Sequence, residues 1–113
     1  MTALSRTYLY IGDLFKPLPL SFSEILEAWE EDVMKPFELV RGHVEEELGE
    51  VSGARLYGAY LNPETMTAVI EYMVDFEGEK VMGVYSVKIV HAENPQKAMM
   101  EYHKAEREGK LVR

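Results

Sequence analysis

Hydrophobic and polar positions alternate with period two in three stretches of the chain, and with period 3.6 in two others. The first stretch, residues 6 to 12, reads as a strand with Tyr8 and Tyr10 on one face and Leu9 and Ile11 on the other. Lys16-Pro17-Leu18-Pro19 follows as an extended connector, because proline excludes its predecessor from helix. Ser21 with Glu24 has the spacing of a capping box, and Leu20 with Ile25 that of a hydrophobic staple, so a helix is expected to start at Phe22. From there Phe22, Leu26, Trp29, Val33, Phe37, Val40, Val44 and Leu48 recur at steps of three or four and draw one apolar stripe, which places Trp29 in the core. Pro36 interrupts the stripe, and an internal proline costs about 3 kcal/mol. The phase holds across it, so the expectation is one long helix kinked at Pro36, or two nearly collinear helices, stopped by Gly49.

Beyond a loop at Ser52-Gly53, residues 54 to 61 read as a strand and Asn62-Pro63-Glu64-Thr65 as a turn. Met66, Ala68, Ile70, Tyr72, Val74 and Phe76 then alternate with Thr67, Val69, Glu71, Met73 and Asp75. A turn at Glu77-Gly78-Glu79-Lys80 leads into a last strand whose inward face is Val81, Tyr85, Val87 and Ile89. Asn94-Pro95 supplies an N-cap and a first-turn proline for a second helix from Pro95 to Glu108, with a narrow inner face of Ala98, Tyr102 and Ala105. Gly109 ends it, leaving Lys110 to Arg113 to fray or to add a short edge strand.

The resulting order is β-α-β-β-β-α, an α+β domain over residues 1–113 in which an antiparallel sheet carries the long helix and the C-terminal helix on one face. A ferredoxin-like arrangement would need a helix where only the tight turn at residues 77 to 80 is available. The outward positions Val69, Met73, Met82, Val84 and Val90 are too apolar for a solvated face, which points to cover by another subunit.

Charge sharpens this picture. The net charge of −8 originates between residues 22 and 50, where ten acids face only Lys35 and Arg41. One helix therefore carries a concentrated negative surface, with Glu24, Glu27 and Glu31 as candidate contacts for a basic protein partner. Scattered cations and a pI near 4.9 argue against direct nucleic-acid binding. The chain has no cysteine, no apolar run long enough to span a membrane and no signal-peptide core near its start, so a cytoplasmic location is expected.

Candidate chemistry is sparse. His91 closes the last strand just before a helix, where an imidazole can act as general acid or base. Tyr57, Tyr72 and Tyr85 could line a cavity between sheet and long helix and orient a small ligand, although tyrosine is also simply a good strand former. His43 with Glu46 and His103 with Glu106 have helical i, i+3 spacing, but the order is the reverse of the di-iron Glu-x-x-His motif, so no metal site is assigned. No cofactor is assigned either, since the chain has no phosphate loop, no nucleophile elbow and no zinc-protease motif. The reading that follows is a non-catalytic association domain, homo-oligomeric through the outer sheet face, with its acidic helix open to a partner. The alternative is a small enzyme or ligand-binding protein with a pocket between sheet and long helix.

Overall fold

The computed structural model describes residues 5–77 and 82–113. Its elements are β1 (Arg6–Ile11), β2 (Leu14–Leu18), α1 (Phe22–Glu31), α2 (Lys35–Leu48), β3 (Glu50–Asn62), β4 (Thr67–Glu77), β5 (Met82–Ala92) and α3 (Pro95–Arg107). The five strands form one antiparallel sheet in the order β2-β1-β5-β4-β3. This is the expected α+β class and element order, with one added strand and the long helix divided in two. The turn expected at residues 77 to 80, like inward Val81 and the Met82 side chain, lies outside the described residues.

The added strand is β2, which pairs with β1 through the two-residue turn Gly12-Asp13. Gly12 has φ 58° while Asp13 does not enter the positive region, the pattern of a type II′ turn with glycine first. Pro17 is tolerated because β2 is an edge strand and one side of it needs no ladder donor. Ser52-Gly53 is not a loop. It lies within β3, where the register against β4 shifts between Val51 and Gly53, so the pair marks a bulge in a continuous strand.

The helix caps form as their sequence spacing predicts. Ser21 Oγ accepts from the Glu24 amide at 3.1 Å and Glu24 Oε2 from the Ser21 amide at 3.4 Å, while Asn94 Oδ1 accepts from the Lys97 amide at 3.1 Å. A single helix kinked at Pro36 does not form. Asp32 ends α1 in an extended conformation, and its Oδ1 accepts from the Met34 amide at 2.7 Å, a local turn that competes with helix. Pro36 then falls in the first turn of α2, where its missing N–H has no helical partner to lose. The break also exposes Val33, which the stripe had placed in the core, and leaves its carbonyl free to accept the Tyr72 hydroxyl at 2.6 Å.

The helices do not share one face of the sheet. Leu9, Ile11, Ala68, Ile70, Tyr72, Val74, Val87 and Ile89 point to an inner face, where they bury Phe22 and Ile25 of α1 and Phe37, Val40 and Val44 of α2, with Trp29 partly buried at the margin. The alternate positions Val69, Val90 and Ala92 pack against Ala98 and Tyr102 of α3 on the opposite, outer face. The expectation of both helices on one side is corrected accordingly. Strand alternation forces the outcome, because Val69 and Val90 cannot turn inward without reversing every side chain of their strands. The C-terminal segment runs on from α3 to the free edge of β3, where Val112 and Ala59 exchange two backbone hydrogen bonds of 2.9 Å.

Candidate functional site

The space between the sheet and α1–α2 is filled. Tyr72, Phe37, Ile25, Val40 and Val44 are fully buried there, and the Tyr72 phenol, pushed up by burial, stays a neutral donor to the Val33 carbonyl. Tyr72 is thus held as a core residue with its one donor satisfied.

His91 belongs to the same inner face. It pairs with Thr7 of β1 and Ala68 of β4, packs at a tilt against Phe22 of α1 with centroids 5.4 Å apart, and is only 4% exposed. The Thr7 hydroxyl donates to the Leu20 carbonyl at 2.6 Å, which spends its single proton. The 2.7 Å contact between Thr7 Oγ1 and His91 Nδ1 must then run from the ring to the hydroxyl, so Nδ1 carries the proton and Nε2 the lone pair. Nε2 is buried with no hydrogen-bond partner. Protonating it would place an unpaired cationic N–H in apolar surroundings, and burial accordingly lowers the His91 pKa from its ordinary value near 6.5. The geometry fixes the tautomer that general-base chemistry requires, yet Nε2 faces buried protein.

The remaining two tyrosines lie elsewhere. Tyr85, on the inner side of β5, is 40% exposed and packs on Phe76 at 4.9 Å. Tyr57, at the second register shift of β3, donates to Glu106 of α3 on the outer side, a bond that raises the phenol and lowers the carboxyl. Tyr57, Tyr72 and Tyr85 therefore do not converge on one ligand, and none of them adjoins His91 in the strand register.

The densest polar chemistry is on the outer face. Glu71 of β4 is buried beneath α3. Its Oε1 accepts from Tyr102 at 2.6 Å and its Oε2 from Ser86 at 2.6 Å, while Lys88 Nζ lies 3.6 Å away and donates to Ser86 at 3.2 Å. The Tyr102 phenol is pushed up, first by burial and then by this carboxylate. Every charge in the group is paired, as burial demands, and Lys88 faces the part of the sheet that α3 leaves open. Two further tyrosine–carboxylate bonds, Tyr57 to Glu106 and Tyr60 to Glu101, fasten α3 to β3. Sequence reading missed this cluster because Glu71, Ser86 and Lys88 occupy alternating outward positions that look solvated. The available signal was the cross-strand register, which sets Glu71 directly opposite Lys88.

The outer face beyond α3 is apolar at its margin. Phe15 of β2 stacks on Tyr10 at 5.4 Å and leans on Tyr8 at 5.9 Å, and is 57% exposed; Val84 of β5 is 51% exposed. The register places Phe15, Tyr10, Lys88 and Glu71 in one row across four strands, with Val84 further along β5 on the same side. On the opposite side of the molecule Glu24, Glu27 and Glu31 come together, lining with Ala28, Lys35 and Leu39 a shallow groove of about 250 Å³ between α1 and α2.

His103 Nδ1 lies 3.6 Å from Glu106 on α3, whereas His43 Nδ1 on α2 has no partner. With α2 and α3 on opposite faces of the sheet, the two histidine–glutamate pairs cannot share an ion. No group of three metal-ligating side chains occurs among the described residues, and none of their helices is long and apolar enough to cross a membrane. Comparison of the chain with protein-family models, with curated proteins and with solved structures finds no match.

Proposed function

We propose that the chain is a non-catalytic association domain, homo-oligomeric through the open sector of its outer sheet face and offering its acidic helix to a basic partner. The observation that carries this reading is the aromatic step formed by Phe15 on Tyr8 and Tyr10, left in solvent beside a helix that covers only part of the sheet. Exposed apolar surface of this kind, rimmed by polar groups, marks contact surfaces. The filled inner interface also weighs against a ligand cavity there, because a small-molecule site needs an open concavity with convergent polar groups. His91, the residue best placed for catalysis, directs its free nitrogen into buried protein.

Sedimentation at micromolar concentration tests the proposal. At high salt, where charge-driven contacts are screened, the chain should run heavier than its 13.0 kDa monomer, and Phe15→Glu or Val84→Glu should return it to monomer with an unchanged far-ultraviolet spectrum. A wild-type chain that stays monomeric over a wide concentration range would sink the proposal.

A further inference from the structure

We infer that the basic partner of the acidic α1–α2 groove is α3 of a second copy of this chain. The inference rests on the association reading above and names the partner for the same acidic surface. Its starting point is Met100, which at 72% exposure is the most exposed large apolar side chain among the described residues. Met100 stands on the outward side of α3 among Lys97, His103, Lys104 and Arg107. Of the acids beside this group, Glu101 accepts from Tyr60 and Glu106 from Tyr57, both toward the sheet, with His103 Nδ1 3.6 Å from Glu106. The helix thus presents an apolar tip between Lys97, Lys104 and Arg107, in a chain whose α1 and α2 hold eight acids against Lys35 and Arg41.

The groove on α1–α2 is the complement of that surface. Its floor includes buried Ala28 and half-exposed Leu39, and its walls are Glu24, Glu27 and Glu31, with Lys35 3.5 Å from Glu31 as the cation at its end. The spacings also match. Lys97 and Lys104 are seven residues apart on one face of α3, as Glu24 and Glu31 are on α1, which is about 10 Å along either helix axis. Laid antiparallel, Lys97 meets Glu31 and Lys104 meets Glu24. Met100, three residues from Lys97, then falls opposite Ala28, three residues from Glu31, so the longest apolar tip meets the smallest side chain of the groove. A parallel alignment would instead set Met100 against Glu27.

Because α1 and α3 lie on opposite faces of the sheet, one copy cannot satisfy both halves of the contact with the same neighbour by a simple two-fold axis. The contact is heterologous, and its repetition builds a ring or an open chain. Exposed ion pairs contribute little individually and are screened by salt, so this association is salt-sensitive, in contrast to the apolar contact at Phe15 and Val84.

Charge-swapped variants test the inference by sedimentation at low salt. Glu27→Lys with Glu31→Lys leaves the Ser21–Glu24 capping box intact, and Lys97→Glu with Lys104→Glu changes only exposed positions. Each double variant, made in the Val84→Glu background to silence the sheet-face contact, should sediment as monomer. An equimolar mixture of the two should regain higher-mass species, because each now carries the complement of the other. The recovered mass should fall away as the Debye length shortens from about 30 Å at 0.01 M salt to about 3 Å at 1 M. A mixture no heavier than its components overturns the inference. In that case an oligolysine probe separates the two failures: salt-sensitive binding to the wild-type chain, lost in the Glu27→Lys, Glu31→Lys variant, leaves the acidic surface with a basic partner other than this chain, whereas no binding removes the acidic-surface reading as well.

Discussion

Replacing Tyr102 by phenylalanine should destabilise the protein by about 2 kcal/mol, since hydrogen bonds to charged groups contribute roughly 1.5–3 kcal/mol. The hydroxyl donates at 2.6 Å to Glu71 Oε1, and both residues are buried between β4 and α3. Phenylalanine keeps the ring and its packing on Val69, Val90 and Ala98 but leaves Oε1 facing apolar atoms where no donor replaces the lost one. Glu71 retains Ser86 and Lys88 through its other oxygen, which keeps the loss below that of an isolated buried charge. For a chain of this length about 2 kcal/mol lowers the melting temperature by roughly 8 °C. Urea unfolding of Tyr102→Phe, Glu71→Gln and the double variant completes a cycle, and the coupling between the two sites should exceed ~0.5 kcal/mol, the limit for independent positions. Tyr57→Phe is the control: it removes a comparable bond to Glu106 on the exposed rim of α3 and should change stability little. A Tyr102→Phe loss no larger than that of Tyr57→Phe, or an additive cycle, would refute the view that Glu71 anchors α3.

Two further outcomes follow from buried contacts. The unfolded chain protonates His91 near its ordinary value while the folded chain resists, so this residue's contribution is fully present above about pH 6.5 and is lost as pH falls through that value toward the lowered folded pKa. Urea midpoints between about pH 7.5 and about pH 5.5 should drop for wild type and drop less for His91→Phe, with identical slopes counting against the buried lone pair. At Gly58 an added Cβ would stand 2.8 Å from Leu111 Cδ1 and 3.4 Å from Leu111 Cβ. Gly58→Val should lift the C-terminal segment off β3 and abolish hydrogen-exchange protection of the Val112 amide, and retained protection would show that Leu111 does not hold the segment down.

The parts of the fold legible in the sequence are those decided within a few residues. Ser21 with Glu24, Asn94 with Pro95, and Gly49 mark helix ends because caps are local hydrogen bonds and local dihedral preferences. The alternation from Thr67 to Phe76 marks a strand for the same reason. The Gly12-Asp13 hairpin was equally local, but Lys16-Pro17 drew the reading toward a connector and hid a strand that is short and lies at an edge. The side of the sheet taken by α3 was not legible, because β4 and β5 carry apolar residues on both faces and the small inner face of α3 suits either. The candidate site suffered likewise. Glu71, Ser86, Lys88 and Tyr102 come from three elements, and only the register of β4 on β5 and the seating of α3 bring them together.

That assembly gives the two faces of the sheet different kinds of cohesion. On the inner face cohesion comes from area: large side chains such as Phe37, Leu9 and Ile70 are removed from water, each contributing roughly 1.5–3 kcal/mol. On the outer face α3 buries Ala98, Ala105 and Tyr102, with Met99 partly buried beside them, so burial alone holds it weakly and the buried bond from Tyr102 to Glu71 decides where it sits. An element held by few directional bonds opens at lower free energy than the core. The same helix carries the cationic surface around Met100 and borders the open aromatic sector, so any association on that side depends on α3 remaining docked. The Glu71 network thereby acquires a functional consequence without touching a partner: loosening it at Tyr102 should weaken both self-association contacts together, whereas loss of either surface residue weakens only its own.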